Sequence, residues 1–279
     1  LVLFTDMPVD FSRGPAIPGG THFLDTRQIT SFYTDNADFY VVQHYGQPEV
    51  DIDSYRLKVT GLVETEREYT LSDLQQRSQF QQAAGFECGG NSPRLYNGLI
   101  GNANWGGVRL RDILAECGIK PEGKEVVFFG ADSGTENIRD TDVEQNFARS
   151  LSQEDAMRPE NMLALQMNGE ALPRAHGFPA RLVIPGLYGF VSATKWVTRL
   201  TLTTYDEASA YWTDRDWATD APIKISTRID TPNALDRLPA GEVVIGGVAW
   251  AQQRGGVDKV QVQVDGGGWR DAELGPAVS

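Results

Sequence analysis

Short stretches of apolar residues, some alternating with polar ones, recur along the 279-residue chain, and they predict β-strands with at least one buried face. In the first, Tyr55, Leu57 and Val59 alternate with polar residues before Gly61. Further strands are predicted at 125–129, 181–184, 196–204, 243–245 and 260–264. The glycines that follow the last two stretches are typical of hairpin turns, and those at 130–134 predict a turn at a strand end.

Two helices are predicted between these strands. The first begins near Ser72, because a serine followed three residues later by Gln75 has the spacing of a capping box. The second covers 108–118, where apolar residues recur at i, i+3, i+4 and i+7 and Gly118 ends the pattern. This spacing puts Cys117 on the apolar face, so we expect its thiol to pack in the core.

Composition and charge exclude several classes of protein. The chain has 25 basic and 38 acidic residues and a formal net charge of −13, so a nucleic-acid partner would be repelled over most of the surface. No apolar run reaches the about 18 residues that a membrane-spanning helix needs. Two cysteines, Cys88 and Cys117, are too few for a disulfide scaffold or for a zinc site made of cysteines alone.

Both ends of the chain suggest that the natural protein is longer. The first residue is Leu1 rather than methionine, so we expect an upstream segment that could carry a targeting signal. The hairpin pattern after Ser226 has only about 50 residues before the end, whereas an immunoglobulin-like sandwich needs about 100. We therefore expect the natural chain to continue beyond Ser279.

Three stretches carry residues suited to chemistry, at 87–91, 174–181 and 191–196. Cys88 precedes two glycines, and its thiol is either a ligand or nucleophile or a buried bystander. His176, Arg181 and Lys195 stand near predicted strand ends, where they form a candidate cradle for an anion. The nucleophile-elbow, Walker and dinucleotide-binding motifs are missing from the sequence.

Six short runs occur in an order that a known enzyme family shares. They are 39–44 (FYVVQH), 87–91 (ECGGN), 106–114 (GGVRLRDIL), 167–173 (MNGEALP), 176–181 (HGFPAR) and 194–196 (TKW). This ordered set resembles the sulfite oxidase family of molybdenum-cofactor enzymes, and the resemblance extends over residues 39–274. The runs 246–250 and 264–267 resemble the start of that family's C-terminal dimerisation domain.

The resemblance implies one pterin-dithiolene molybdenum cofactor per chain, with Cys88 as the single protein thiolate on the metal. A thiolate suits a metal already held by dithiolene sulfurs, and the glycines after Cys88 let the backbone approach a large group. By position, the other implied cofactor contacts are His44, Asp132, His176, Arg181, Ala193, Thr194 and Lys195.

The residues expected around the substrate depart from the family pattern. Sulfite-oxidising members carry an arginine where this chain has Val42 or Gln43, a second arginine soon after the cysteine, and a tyrosine near the metal. Here the arginine after the cysteine is the displaced Arg94, and the tyrosine position falls on Trp217. Arg94 or Arg215 would replace the missing charge if folding brings either into the pocket. The candidate catalytic residues are Cys88, Arg94 and Trp217.

The resemblance implies an α+β architecture in three parts. Residues 1–38 would form an irregular N-terminal arm, and 39–225 a molybdopterin-binding catalytic domain. Residues 226–279 would form part of a C-terminal immunoglobulin-like β-sandwich through which the protein dimerises.

The implied activity is a two-electron oxygen-atom transfer on a small-molecule substrate, and sulfite is expected to be a poor one. Because no Cys-x-x-Cys-His haem motif is present, electrons would pass to a separate carrier such as a cytochrome. Export to the periplasm and a homodimer are further expectations. Two alternatives stay open. The first is the same fold acting as a reductase of a small oxide or as an oxidant of another sulfur compound, and the second is a cofactor-free structural or interaction subunit.

Overall fold

The structure is built mainly from short β-strands. This computed structural model describes residues 9–12, 14, 31–91, 99–138, 140–204, 221–232, 235–251 and 254–275. The strands are β1 Leu57–Gly61, β2 Arg67–Tyr69, β3 Phe80–Glu87, β4 Ile100–Arg109, β5 Glu125–Ile138, β6 Thr141–Ser152, β7 Met162–Met167, β8 Glu170–Ala171, β9 Arg181–Val183, β10 Val197–Thr203, β11 Ser226–Thr231, β12 Gly246–Trp250, β13 Gln261–Val262 and β14 Arg270–Asp271. The helices are α1 Leu71–Gln75, α2 Leu110–Cys117, α3 Gln153–Ala156 and α4 Gly189–Ser192, with a 3-10 helix at Arg174–His176.

The first large sheet has the strand order β2-β1-β10-β5-β6. Strands β1 and β10 run parallel, with Val59 opposite Leu200, and the other pairs are antiparallel. Strands β5 and β6 form a long hairpin of 14 and 12 residues. The predicted strands 125–129 and 196–204 therefore lie side by side in one sheet.

The second large sheet has the order β3-β4-β7-β8, and β9 pairs with β7. All of its pairs are antiparallel. Glu87, the last residue of β3, lies opposite Ile100, so Cys88 comes directly after the end of a strand. Arg181 is the first residue of β9 and lies opposite Ala164 of β7. This sheet therefore holds both Cys88 and Arg181 in fixed positions.

One buried apolar cluster joins the two sheets. It contains Leu57 and Phe128 from the first sheet, Leu163 and Leu182 from the second, and Leu114 of α2, all fully buried. Burying a side chain of this size contributes about 1.5–3 kcal/mol. A second buried cluster, which includes Phe39, Trp105 and Met167, packs the stretch around residue 39 against the second sheet.

Helix α2 confirms the predicted amphipathic segment, with Gly118 after its last residue. It begins at Leu110 rather than at Val108, because Val108 and Arg109 still pair with β7. Cys117 is 1% exposed in the core, as its place on the apolar face predicts.

The predicted capping box at Ser72 and Gln75 is wrong, because both residues lie inside α1. Thr70 is the N-cap instead: the Asp73 amide donates to Thr70 Oγ1 at 3.1 Å, and the Thr70 amide donates to Asp73 Oδ2 at 2.8 Å. This reciprocal pair satisfies two helix-end donors.

The turn predicted at 130–134 is also wrong. Strand β5 continues through this stretch to Ile138, with its register against β6 broken between Phe129 and Ser133. The Ala131 amide donates to the Trp196 carbonyl at 2.8 Å. A bulge in a continuous strand therefore takes the place of the expected turn.

The described residues after 225 form two small two-stranded sheets, β11–β12 and β13–β14. The strand predicted at 243–245 is wrong, since these residues are exposed and β12 begins at Gly246. Gly247 lies against Arg228 of β11, whose carbonyl oxygen would be 1.9 Å from a Cβ on residue 247. Glycine is thus required inside this strand. The immunoglobulin-like sandwich and the domain boundaries stay predictions. No helix of the described ranges has the length and apolar character needed to cross a bilayer.

Candidate active site

A cavity of about 180 Å³ lies beside the ends of β3 and β9, far larger than the about 30 Å³ that one water occupies in the liquid. Its walls come from 39–44, from β5 and β6, and from the segment 176–196. The lining residues are Phe39, Tyr40, Val41, Val42, Gln43, His44, Phe86, Cys88, Asp132, Phe147, Arg149, His176, Arg181, Gly189, Phe190, Ala193, Lys195 and Trp196. The predicted cofactor residues thus converge on one cavity, except that Thr194 stands next to its wall.

Cys88 is half-buried and lines the cavity directly after β3. Its amide donates to the Leu99 carbonyl at 3.0 Å, and the Gly90 amide approaches Cys88 Sγ at 3.4 Å. A Cβ on Gly89 would lie 3.2 Å from the Phe190 ring, so a side chain there would crowd the cavity wall. The backbone therefore holds the Cys88 thiol toward the cavity, in contrast to Cys117 in the core.

His176, Arg181 and Lys195 form a buried cradle of basic residues on one side of the cavity, each at most 8% exposed. Arg181 donates to the His176 carbonyl at 3.1 Å, and Lys195 Nζ donates to the Ala175 carbonyl at 2.9 Å. Gly177 has φ +108°, and a Cβ there would lie 3.0 Å from the Cβ atoms of both Arg181 and Lys195. Glycine at this position lets the two cations come close together.

The cradle is built to receive negative charge. Within the described ranges neither Arg181 nor Lys195 forms an ion pair with a carboxylate. Burial lowers the pKa of Lys195 to about 7 and that of Arg181 to about 10, and the Arg181 charge adds to the effect on Lys195. Burial and these two charges lower the pKa of His176 to about 3. A bound anion would reverse these shifts, because it favours the charged forms.

Asp132 stands in the bulge of β5 and is 4% exposed. Its Oδ1 atom is buried without a hydrogen-bond partner among the described residues, and so is Thr194 Oγ1. Burial raises the pKa of Asp132 to about 6, although the nearby charges of Lys195, His44 and Arg149 act in the opposite direction. Buried polar atoms of this kind normally have partners, so both atoms point to a ligand that supplies hydrogen bonds.

His44 lines the cavity near its mouth. Its Nε2 atom is 2.8 Å from Glu136 Oε1 of β5, and its ring packs edge-on against Tyr45 at a centroid distance of 4.5 Å. The imidazole is therefore held in one orientation between the 39–44 stretch and the β5–β6 hairpin.

Three residues expected near the substrate, Arg94, Arg215 and Trp217, lie outside the described residues. Conversely, Arg149 and Phe190 line the cavity although the sequence patterns did not single them out. Arg149 stands between apolar and small residues in the run FARSLS, and one arginine in a strand is most often an exposed charge. Only the pairing of β6 with β5 shows that this side chain is buried beside Asp132.

The chain has relatives of known name. The family model described as the oxidoreductase molybdopterin binding domain matches residues 44–212. Mitochondrial sulfite oxidase of Rattus norvegicus is 31% identical over 279 residues, which cover 88% of this chain and 50% of the rat protein. Inducible NADH nitrate reductase 1 of Glycine max is 28% identical over 286 residues, covering 87% of this chain and 32% of that protein.

A solved structure is similar over most of the chain. The crystal structure of the sulfane dehydrogenase SoxCD from Paracoccus pantotrophus matches with a TM-score of 0.77 and 29% sequence identity, covering 91% of this chain and 68% of that chain. The chain spans about half the length of the mitochondrial sulfite oxidases it matches. The resemblance read from the six sequence runs is thereby confirmed.

Proposed function

Because this chain belongs to the sulfite oxidase family and contains its molybdopterin-binding oxidoreductase domain, we propose that the cavity around Cys88 is the active site of a molybdenum-dependent oxidoreductase. The reaction is a two-electron oxygen-atom transfer on a small substrate. One observation carries this proposal: a cavity lined by a half-buried thiol also holds three buried basic residues.

The donor set fits a molybdenum–pterin group. Cys88 would be the thiolate ligand of the metal, because soft sulfur donors suit a metal already bound by dithiolene. Among the described residues, no three His, Cys, Asp or Glu side chains stand together as a metal site, and the dithiolene sulfurs of the cofactor would supply further ligands. When bound, the group supplies the redox change and the oxygen transfer, while the protein supplies position and charge.

Two sets of polar residues in the cavity suit the two ends of the organic part of the cofactor, which are the pterin and the phosphate. Asp132 Oδ1 and Thr194 Oγ1, both buried and without partners in the described ranges, would accept or donate hydrogen bonds at the pterin, together with the backbone at Ala193 and the His44 ring. The cradle of His176, Arg181 and Lys195 would hold the phosphate, since charge-assisted bonds to phosphate are strong. The anion in turn keeps Lys195 protonated.

The substrate side differs from that of sulfite-oxidising members as the sequence resemblance describes them. Val42 and Gln43 line the cavity where those enzymes have an arginine, so we expect sulfite to be a poor substrate. Arg94 and Trp217 stay candidates for substrate contacts. An oxide reductase or an oxidant of another sulfur compound would use the same cofactor site.

The remaining parts of the proposal concern partners and location. Electrons pass to a separate carrier such as a cytochrome, and the similarity to the sulfane dehydrogenase SoxCD supports such a partner. The C-terminal segment after residue 225 contributes to a homodimer, and the protein works in the periplasm.

The test is a joint measurement of metal and redox chemistry. Purified protein should contain about one molybdenum and one pterin per chain, and the metal should change its oxidation state by two electrons on addition of a substrate, followed by its visible absorption spectrum. A panel of sulfite, thiosulfate, sulfoxides and nitrate distinguishes the substrate classes. Protein that folds and lacks both molybdenum and pterin when made in a cofactor-producing host would contradict the proposal and favour a structural subunit.

A further inference from the structure

The small β11–β12 sheet covers one face of strand β3. This face is exposed at Gln81 but buried at Gly85 and Glu87, near the end of the strand. At Gly85 the cover is the indole ring of Trp250 in β12: a Cβ on residue 85 would lie 2.0 Å from ring atom Cη2. Only a residue without a side chain leaves room for the ring at this place. Trp250 thus packs on β3 three residues before Cys88.

The face of β11–β12 that carries Trp250 is otherwise polar. Arg228 and Asp230 share this face, since residue 226 pairs with Trp250 and side chains alternate along a strand. Arg228 Nη2, Asp230 Oδ2 and Trp250 Nε1 are all buried without a hydrogen-bond partner among the described residues. Such atoms weaken a contact, because each would regain hydrogen bonds in water. Packing of the Trp250 ring therefore supports the contact with β3, and these polar atoms oppose it.

The β11–β12 sheet is itself fixed to the cavity wall. The Ile223 amide donates to the Gly186 carbonyl at 2.7 Å, and the Tyr188 amide donates to the Ala221 carbonyl at 2.9 Å. These bonds join the stretch just before β11 to the stretch just before α4, which begins at Gly189. Ile223 is 1% exposed. The sheet is therefore a support with a defined position relative to α4.

Strand β3 and α4 meet again at the thiol end of the cavity. Cys88 and Phe190 both line the cavity, and a Cβ on Gly89 would lie 3.2 Å from the Phe190 ring. The loop after β3 thus lies against the first turn of α4. Trp250 supports this arrangement from behind β3, and the Ile223 bond supports it from the side of α4.

We infer that Trp250 is a positioning residue of the proposed metal site, which holds the end of β3 so that the Cys88 thiol faces the cavity. This inference rests on the proposed function, since it assigns the thiol a metal to bind. Residues that do not touch a metal still affect its binding, because they orient the side chains that do. Removing the Trp250 ring would therefore loosen the end of β3 and weaken metal binding, although the ring lies outside the cavity.

Hydrogen exchange followed by mass spectrometry tests this contact in the full chain. The variants are Trp250→Ala, Trp250→Phe, which keeps an aromatic ring, and Trp269→Ala as a matched control. Trp269 precedes β14 and is 63% exposed. Peptide 80–91 reports on β3, whereas peptides 186–192 and 110–117 report on α4 and on the core helix α2. Molybdenum content is measured on the same preparations.

The expected effect is local. Trp250→Ala should speed exchange in peptide 80–91 about tenfold, because losing a packed contact favours local opening, and should leave the other two peptides unchanged. Its molybdenum content should fall at least about threefold, since changes next to metal ligands commonly weaken binding about tenfold or more. Trp250→Phe should restore most of both values, and Trp269→Ala should match the wild type. Trp250→Leu replaces the alanine variant if that fails to fold, with exchange about threefold faster.

Three results would overturn the inference and leave the proposed function intact. The first is unchanged exchange in peptide 80–91 of Trp250→Ala, or of Trp250→Leu where only that variant folds. The second is faster exchange in all three peptides, which would indicate a general loss of stability. The third is local loosening with the molybdenum content of the wild type. Wild-type protein without molybdenum would contradict the proposed function itself, and with it the assignment of Trp250 to a metal site.

Discussion

The two sides of the cavity are built in different ways. On one side, His176, Arg181 and Lys195 come from one continuous segment, and Arg181 and Lys195 donate to backbone carbonyls within it. On the other side, residues 39–44 face the β5–β6 hairpin, which brings Arg149 in from a different sheet. The first side carries residues that the sequence resemblance implies for a molybdopterin site, and the second carries Val42 and Gln43 where the resemblance implies an arginine in sulfite-oxidising members.

Under the proposed function, the two sides have different roles, one for the cofactor and one for the substrate. The cradle depends on local bonds and on Gly177, whose positive φ lets Arg181 and Lys195 approach. The opposite side depends on which residues two distant segments bring together, so single substitutions there can move a charge without disturbing the cradle. Each side therefore predicts a different response to mutation.

The largest effect is expected on the cradle side. Arg181→Met should reduce the molybdenum and pterin content of purified protein at least about tenfold, because a buried charge-assisted contact contributes about 2–5 kcal/mol. Sulfite turnover per bound molybdenum should change much less. Arg199→Met, which removes an exposed arginine, is the control and should keep its cofactor. Equal cofactor content in Arg181→Met and wild type would show that the cradle does not hold the phosphate.

A smaller effect is expected on the other side. Wild-type protein should oxidise sulfite with a kcat/KM below about 10⁶ M⁻¹s⁻¹, a value that efficient enzymes reach. The reason is that Val42 and Gln43 provide no positive charge to bind the sulfite dianion. Val42→Arg should raise this efficiency about tenfold with molybdenum content unchanged, and Val42→Met serves as the uncharged control. Wild-type efficiency above that limit would mean that another residue, such as Arg94 or Arg149, already replaces the missing arginine.

The smallest effect concerns stability of the cofactor-free protein. Burial lowers the pKa of Lys195 from 10.5 to about 7, so between these values the unfolded chain binds a proton that the folded chain has released. Stability should then rise with pH above 7, by at most about 1.4 kcal/mol per pH unit from this group. Asp132 and His176 change the pH dependence of stability only below about pH 7, because their pKa values in the folded protein are about 6 and about 3.

Urea unfolding of cofactor-free wild type and Lys195→Met at pH 7, 8 and 9 measures this slope. The wild type should gain stability relative to the variant across this range. The gain should disappear when the cofactor is bound, because its anion keeps Lys195 charged. Parallel pH profiles of the two cofactor-free proteins would mean that Lys195 is charged in the empty cavity.

Much of the fold could be predicted from local patterns, and the exceptions have tertiary causes. The spacing around Leu114 predicted α2 because a helix face depends on nearby residues alone. The bulge in β5 arises from the Ala131 bond to the Trp196 carbonyl, a partner 65 positions away, which no local pattern indicates. Gly247 resembled a turn residue but is needed for close contact with Arg228.

The residues of the site also differ in whether the sequence alone reveals them. Cys88 stood out through the glycines beside it, and His176, Arg181 and Lys195 through their places near predicted strand ends and in the family runs. Arg149 had no such signal, because its burial depends on contact with Phe190, which lies 41 positions further along the chain. Sequence order identified the residues of the cradle, and only the folded structure shows what faces it.

The central claim, that this cavity holds molybdenum through Cys88, is tested most directly by metal analysis of three proteins made side by side. Wild type and Cys117→Ser should each contain about one molybdenum per chain, since Cys117 is buried in the core away from the cavity and a high-valent metal with dithiolene sulfurs favours a further thiolate. Cys88→Ser should contain almost none while keeping the wild-type circular dichroism spectrum. Equal molybdenum in wild type and Cys88→Ser would contradict the claim.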